Sequence, residues 1–306
     1  MKVYVTSKNG LVGKNLLDHD KAKNYDIFAT SHSELDLTDY ANVENFIRIN
    51  KPDIIVHCAG LVGGIQANIK SPYDFFTENV LMGINVVKAA KAVGVKRLIN
   101  LSSSCAYPRN FSSPLKEQYV LQGELEPTNE GYALAKLAIL RMCEYLSKQF
   151  ADFQYKTLIP CNLFGKYDKF SPQNSHMIPA VIRKIHQAKV SNANHIDMWG
   201  DGLARREFMY AGDFADAVYF AIENYDKLPC NVNVGLGFDY SVQEYYDAIA
   251  DVIGWKGTFV KDITKPSGMK QKLVDNTLLK SLGWEAKTTL KDGIIKTYKY
   301  FLDNEL

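Results

Sequence analysis

Lys2-Val-Tyr-Val-Thr6-Ser7-Lys-Asn-Gly10-Leu-Val-Gly13-Lys-Asn-Leu-Leu17 runs from an apolar, β-branched segment through two glycines into a helical pattern. A glycine-bearing turn from strand to helix lets the backbone approach a pyrophosphate and aims a helix N-terminus at it. The spacing is Ser-x-x-Gly-x-x-Gly, with Ser7 where G-x-x-G-x-x-G has its first glycine, so the motif alone also fits an ordinary β-α turn. Its place on the first strand favours phosphate, and Ser7, Gly10, Leu11, Val12 and Gly13 are the candidate contacts.

Working outward, the first half alternates short β-branched runs with amphipathic stretches. Strands are expected at residues 2–6, 25–30, 53–59, 97–103 and 154–160, and helices at 13–17, 42–49, 73–93 and 132–150. Repeated strand, helix, strand order predicts an α/β fold, a Rossmann-type doubly wound parallel sheet covered on both faces. After Pro160 the rhythm breaks into a loop-rich stretch, and helices are expected at 176–187, 213–225, 241–253 and 290–302. The expected division is a nucleotide-binding domain of residues 1–160 plus about 206–236, with 161–205 and 237–306 forming a smaller α+β substrate-binding portion. No Gly/Ser/Pro-rich linker separates them, so the two should pack tightly.

The chain has 306 residues and a formal net charge of +2, with no Lys/Arg run resembling a nucleic-acid or membrane stripe. Any local basicity must therefore serve a small anion. Its five cysteines, Cys58, Cys105, Cys143, Cys161 and Cys230, include no Cys-x-x-Cys, which argues against a disulfide framework and a zinc site. Entry into a strand at Lys2 leaves no room for a signal peptide, and no apolar run is long enough to span a bilayer. A soluble protein of the reducing cytoplasm is expected, without metal, nucleic-acid or membrane partner.

Tyr132 and Lys136, in Gly131-Tyr-Ala-Leu-Ala-Lys136, lie four residues apart on an expected helix and so share one face. A phenol of reference pKa ~10 is a sluggish acid or base at neutral pH, and a nearby ammonium is expected to lower it. A hydroxyl at the end of a neighbouring strand, Ser103, would hold a carbonyl that receives hydride at carbon and a proton at oxygen. The spacing alone is weak: roughly 2 of the tyrosines should meet a cation four positions later by chance. Tyr4 and Lys8 are such a pair. At the end of the second strand stand Thr30-Ser31-His32-Ser33, where an NAD enzyme would place an acid for the ribose hydroxyls. No acid is expected at that tip; hydroxyls, His32 and a nearby Lys8 suit a 2′-phosphate, and Asp36-Leu37 follow toward the adenine.

With these pieces assembled, the chain resembles the extended short-chain dehydrogenase/reductases, and more closely the GDP-L-fucose synthase family. The likeness rests on Val62-Gly-Gly-Ile65-Gln-Ala-Asn68, Ser103-Ser-Cys-Ala-Tyr-Pro108, Leu121-Gln-Gly-Glu-Leu-Glu-Pro-Thr-Asn-Glu130, Asn162-Leu-Phe-Gly165, Asn174-Ser-His-Met-Ile-Pro179 and Trp199-Gly-Asp-Gly202 with Arg206-Glu-Phe208. The resemblance implies NADP(H)-dependent C4 reduction of a GDP-linked 4-keto-6-deoxy sugar, with or without C3/C5 epimerisation beforehand, in a homodimer. It assigns the proton at C4 to Tyr132, the nicotinamide ribose to Lys136, the sugar carbonyl to Ser103, and the epimerising acid/base pair to Cys105 and His176. Further cofactor contacts fall at Leu101, Ser102, Pro160, Asn162, Leu163 and His176, and sugar-nucleotide contacts at Asn162, Lys184, Trp199, Arg206 and Lys272.

Three positions depart from the family pattern: Ser7 for a phosphate-loop glycine, His32 for an arginine, and Ser267 for an aspartate. Relatives of this kind that act on other GDP-linked 6-deoxy sugars, heptoses and colitose among them, include some that only reduce. A C4 ketone acidifies the protons on C3 and C5, so a thiol and an imidazole, with reference pKa values of ~8.5 and ~6.5, suit inversion there. A buried inert thiol and a helix-start histidine are the plain alternatives. A 4,6-dehydratase would need an acid beside the catalytic hydroxyl, where this chain has Ser104 and Cys105. A non-catalytic nucleotide-binding module would have no use for Ser103, Tyr132 and Lys136 together.

Overall fold

The computed structural model describes residues 1–171, 175–264 and 268–306. Asn174 and Ser267, singled out above, lie outside them. The short β-branched runs of the first half form β1 (Lys2–Val5), β2 (Asp26–Ala29), β3 (Ile54–His57), β4 (Arg97–Leu101) and β5 (Gln154–Pro160). Between them lie α1 (Leu11–Asp18), α2 (Tyr40–Asn50), α3 (Ile65–Lys70), α4 (Pro72–Val93) and α5 (Glu130–Gln149). The second half supplies β6 (Asn162–Phe164), α6 (Met177–Val190), β7 (His195–Trp199), β8 (Arg205–Arg206), β9 (Phe208–Tyr210), α7 (Ala211–Glu223) and β10 (Asn231–Val234). It ends with β11 (Tyr240–Ser241), α8 (Val242–Ile253), β12 (Thr258–Asp262), β13 (Gln271–Lys272), α9 (Thr277–Ser281) and α10 (Leu290–Asn304).

Six strands form one parallel sheet in the order β10-β5-β4-β3-β1-β2, the Rossmann-type arrangement expected from the strand and helix rhythm. Every residue of β3 is buried, as a strand covered on both faces requires. Val43, Val86, Val87, Ile139 and Leu140 of α2, α4 and α5 are buried, as are Leu16 of α1 and Phe214 and Val218 of α7. Each such side chain contributes roughly 1.5–3 kcal/mol by leaving water. Where α4 crosses α5, a Cβ on Gly83 would sit 2.4 Å from Ile139, so the closeness of the two helices depends on that glycine.

A separate apolar cluster joins Ile178, Ile182 and Ile185 of α6, Tyr245 and Ile249 of α8, and Ile294 and Phe301 of α10. Helix α8 begins at a reciprocal cap in which Ser241 and Glu244 exchange side-chain and backbone hydrogen bonds, a device worth about 1 kcal/mol. Three small pairings were not anticipated: β7 with β12, β6 with β9, and β8 between β11 and β13. Among the described residues, no helix is long and apolar enough to cross a membrane.

The strand order reverses between β1 and β3, and the carboxyl ends of β1, β3 and β4 converge there. In an open parallel sheet this crevice is where ligands bind.

Candidate functional site

At the end of β1 the chain turns into α1 with Gly10 as its cap residue and no side-chain cap bond. A Cβ on Gly13 would sit 1.5 Å from the Ser7 carbonyl oxygen, so the turn closes only with glycine there. Ser7 itself is not among the positive-φ residues. The missing first glycine is therefore no obstacle to the turn, and the uncapped helix start is open to an anion.

The ribose end corrects one expectation. An acid does stand at the tip of β2: Glu34 folds back in a turn, its N–H donating to the Ser31 carbonyl at 3.2 Å. Its carboxylate accepts from the Ser31 N–H at 2.7 Å and the Ser31 hydroxyl at 2.8 Å, and pairs with Lys8. Those bonds, led by Lys8, hold the carboxyl down at about 2. His32 is largely exposed, 3.9 Å from Asp36, and Asp36 accepts from the Thr38 N–H and hydroxyl at 2.9 and 2.8 Å. Leu37 is buried. The cation expected near this tip is present, matched by a carboxylate that the sequence spacing hid.

Beyond β4, Ser102 is buried and its hydroxyl lies 3.5 Å from the Lys136 carbonyl. Ser103 caps a short turn, accepting from the Cys105 N–H at 3.2 Å, and its hydroxyl is hydrogen-bonded to Tyr132. Tyr132 and Lys136 do rise from one face of α5, the ammonium lying 5.7 Å from the ring centre. The ammonium donates to the Leu101 carbonyl at 3.0 Å. The expected lowering of the phenol is not found: burial, then the Cys105 charge, raise it well above its ordinary value, against a smaller opposing effect of Ser103. Burial pushes Lys136 down to about 8, the Cys58 charge opposing. A phenol so held keeps its proton, which fits an acid waiting for a developing alkoxide. The chance pair is also accounted for, since Tyr4 is wholly buried and hydrogen-bonded to Thr30 at 2.8 Å.

Cys105 receives two further hydrogen bonds, from the Asn129 side chain at 3.0 Å and the Lys272 ammonium at 3.2 Å. Burial pushes the thiol up, but Lys272, Ser103 and Asn129 outweigh it and leave the thiol below its ordinary value. Lys272 on β13 lies opposite Arg206 on β8, and Arg206 also senses the Cys105 charge. Two cations thus stand side by side near the thiol.

The carboxylate between these strands went unassigned in the sequence. Glu207 is wholly buried; it accepts from the Gly237 and Val274 N–H groups at 3.0 Å each, and from that of Leu236. Burial pushes it up to about 7 against those three bonds. It ties β8, β10 and β13 into one frame, and its own carbonyl accepts from Asn162 at 3.0 Å. Pro160 ends β5 and Leu163 lies in β6, opposite Val234 and Met209 respectively.

His176 precedes α6, and burial, then Lys169, lower its basicity. Among the described residues no contact joins it to Cys105. Lys184 donates to the Asp197 carbonyl at 2.8 Å, beside Trp199 at the end of β7. Ser103, Cys105, Tyr132, Lys136, Arg206 and Lys272 thus gather in one cluster; no interaction among the described residues joins His176 or Lys184 to it. Asn129 and Glu207 were missed, although both sit inside quoted motifs. A polar residue at a helix start, and an acid between an arginine and an apolar strand, were the available signals.

The family model that matches residues 3–235 is described as the NAD dependent epimerase/dehydratase family. A GDP-L-colitose synthase of Yersinia pseudotuberculosis is 52% identical over 305 residues, 100% of this chain and 99% of that protein. A GDP-L-fucose synthase of Azorhizobium caulinodans is 48% identical over 98% of this chain and 96% of its own. Among solved structures, a GDP-mannoheptose C4 reductase from Campylobacter jejuni with NADP bound matches with a TM-score of 0.88 at 29% identity, covering 98% of each chain.

Proposed function

The chain belongs to the NAD dependent epimerase/dehydratase family, and we propose that it catalyses NADPH-dependent C4 reduction of a GDP-linked 4-keto-6-deoxy sugar, with C3/C5 epimerisation beforehand. The observation that carries this is the single cluster of Ser103, Cys105 and Tyr132, with Lys136 beneath it and Arg206 and Lys272 to one side. It is a site for a carbonyl, a mobile proton and a diphosphate.

The residues fit the cofactor. The closed Ser7–Gly13 turn and uncapped α1 start would take the pyrophosphate and Lys136 the nicotinamide ribose, while Lys8 and Ser31 would take a 2′-phosphate by releasing the Glu34 carboxylate that holds them both. When bound, NADPH supplies the hydride for C4. Ser103 holds O4 by a hydrogen bond, and Tyr132, kept protonated by burial, delivers its proton to that oxygen. Arg206 and Lys272 neutralise the diphosphate, which anchors the sugar at the hydroxyls. For epimerisation, Cys105 removes a proton from carbon beside the ketone, the C–H pair passing onto O4, and His176 supplies a proton from the other face.

A second reading, reduction without epimerisation on a GDP-4-keto heptose or dideoxy sugar, draws on one observation: burial and the Lys169 charge both lower the basicity of His176, which weakens it as a proton donor. The named heptose reductase is similar in fold. As quaternary structure we propose a homodimer through α4 and α5, whose outer faces expose Tyr73, Leu81, Leu134 and Tyr145. The compartment fitting five free thiols is the cytoplasm.

The deciding experiment is incubation with GDP-4-keto-6-deoxy-mannose and NADPH in deuterated water, with the product analysed by NMR. NADPH oxidation with deuterium at C3 and C5 is expected. Oxidation without deuterium there selects the second reading, and no oxidation with any GDP-4-keto sugar overturns both.

A further inference from the structure

Cys105 is bracketed by groups from three separate parts of the chain. Lys272 on β13 donates to its sulfur at 3.2 Å, Asn129 at the start of α5 donates at 3.0 Å, and Ser103 lies two residues before it. Among the described residues, two other charged or titratable groups face it: Arg206 across from Lys272, and Tyr132 on α5. Every donor but one is neutral or serves another partner, since Arg206 donates to the Arg205 carbonyl at 2.7 Å. Among the described residues, no ammonium is hydrogen-bonded to the sulfur of the other four cysteines: Cys58 reaches the Ser7 carbonyl and Cys161 that of Asn162, at 3.8 and 3.5 Å, Cys230 that of Tyr155 at 3.5 Å, and Cys143 is buried. Burial pushes all four above their ordinary value.

We infer that Lys272 is a positioning residue for epimerisation: its ammonium forms an ion pair with the Cys105 thiolate, so the base is ionised before a sugar arrives. This rests on the function proposed above and gives Lys272 a duty besides that of a diphosphate contact. As the C–H bond beside the ketone breaks, an S–H bond forms on Cys105 and the freed electron pair passes onto O4. The ammonium keeps its own protons throughout, and the thiol yields its proton to solvent afterwards. The neighbouring negative sulfur also keeps Tyr132 protonated, so one pair readies both chemical steps.

The test follows the thiol without substrate. Reaction of the intact protein with a small aromatic disulfide is measured from pH 5 to 10, and modification of Cys105 is read by peptide mass spectrometry. Removing one opposite charge at hydrogen-bonding distance changes a thiol's ionised fraction by roughly ten-fold or more. A more acidic thiolate is also less nucleophilic, which hides about half of that on a logarithmic scale. Cys105 in Lys272→Met should therefore react about three-fold or more slowly at pH 7, with its pH profile moved to higher pH. Lys272→Arg should restore the wild-type profile. In wild type, thiolate absorbance at neutral pH should vanish in Cys105→Ser, an arm that needs no change at Lys272. A Cys105 profile in wild type like that of an ordinary thiol, or one unmoved in folded Lys272→Met, would overturn the pairing. Turnover separates the two ideas: a shifted thiol profile in a protein that oxidises no NADPH with GDP-4-keto sugars leaves the pair standing and refutes the proposed function.

Discussion

Replacing Glu207 with glutamine should make the protein more stable at alkaline pH while loosening its site. Glu207 is wholly buried and its carboxyl is raised from 4.5 to about 7. Between those values the folded chain binds more protons at this position than the unfolded chain, so stability falls as pH rises. The separation corresponds to about 3 kcal/mol, absent below pH 4.5 and fully developed above pH 7. Glutamine matches the protonated carboxyl in shape, with one acceptor and one donor. Glu207→Gln should therefore lie about 1–2 kcal/mol below wild type at pH 5, where a buried N–H loses its acceptor, and above it by pH 8, the difference having moved by about 2–3 kcal/mol. Urea denaturation of both proteins at pH 5, 6, 7 and 8 measures this. The difference between them also removes the parallel contribution of Asp168, likewise raised to about 7 by burial. Parallel pH profiles for the two proteins would refute the reasoning. The cost should appear in catalysis: an amide N–H cannot accept from Val274 or from Leu236 and Gly237, so β13 and its Lys272 lose part of their frame.

Tyr132→Phe should lower NADPH oxidation by about 10²-fold or more while leaving GDP-sugar affinity within a few-fold, as stopped-flow and binding titrations would show; turnover near wild type would remove the acid from its role. Cys105→Ser should block solvent deuterium uptake at C3 and C5 yet still reduce an already epimerised substrate at C4, read by NMR. Gly13→Ala forces a Cβ onto the Ser7 carbonyl, and NADPH affinity measured by fluorescence titration should fall about ten-fold or more. Leu134→Asp with Leu81→Asp should convert a dimer into a monomer in light scattering, and a double variant that stays dimeric would remove this face from the interface.

The sheet was legible because β1, β3 and β4 are buried β-branched runs and α4 and α5 are long periodic helices. The Ser7–Gly13 turn and the Ser103, Tyr132, Lys136 grouping were legible for the same reason, each lying at the end of a strand or on one helix face. The alternation of His195 to Trp199, exposed and buried by turns, was there to be read and was passed over amid loops. The two-residue strands β8, β11 and β13 were not, since no period exists in two residues. Glu34 escaped because a turn, not a strand, brings it back to Ser31. Tyr132 is not acidified because burial, and then the Cys105 charge, raise it, while the Lys136 ammonium donates to the Leu101 carbonyl; spacing on a helix encodes neither.

Cys105 and Lys272 are 167 residues apart in the chain, and the segment between β4 and α5 is stitched to the strand bearing Lys272 by Leu115, whose N–H reaches the Leu273 carbonyl at 2.8 Å. Contacts of such separation carry the largest loop-closure cost and form late. A ribosome-bound chain can complete β1 to β5 and assemble the nucleotide crevice long before Lys272 has been synthesised. During that interval Cys105 is an ordinary thiol. Its acidity is thus a clock for completed folding: until β13 has docked, there is no primed base to act wastefully on a passing ketone.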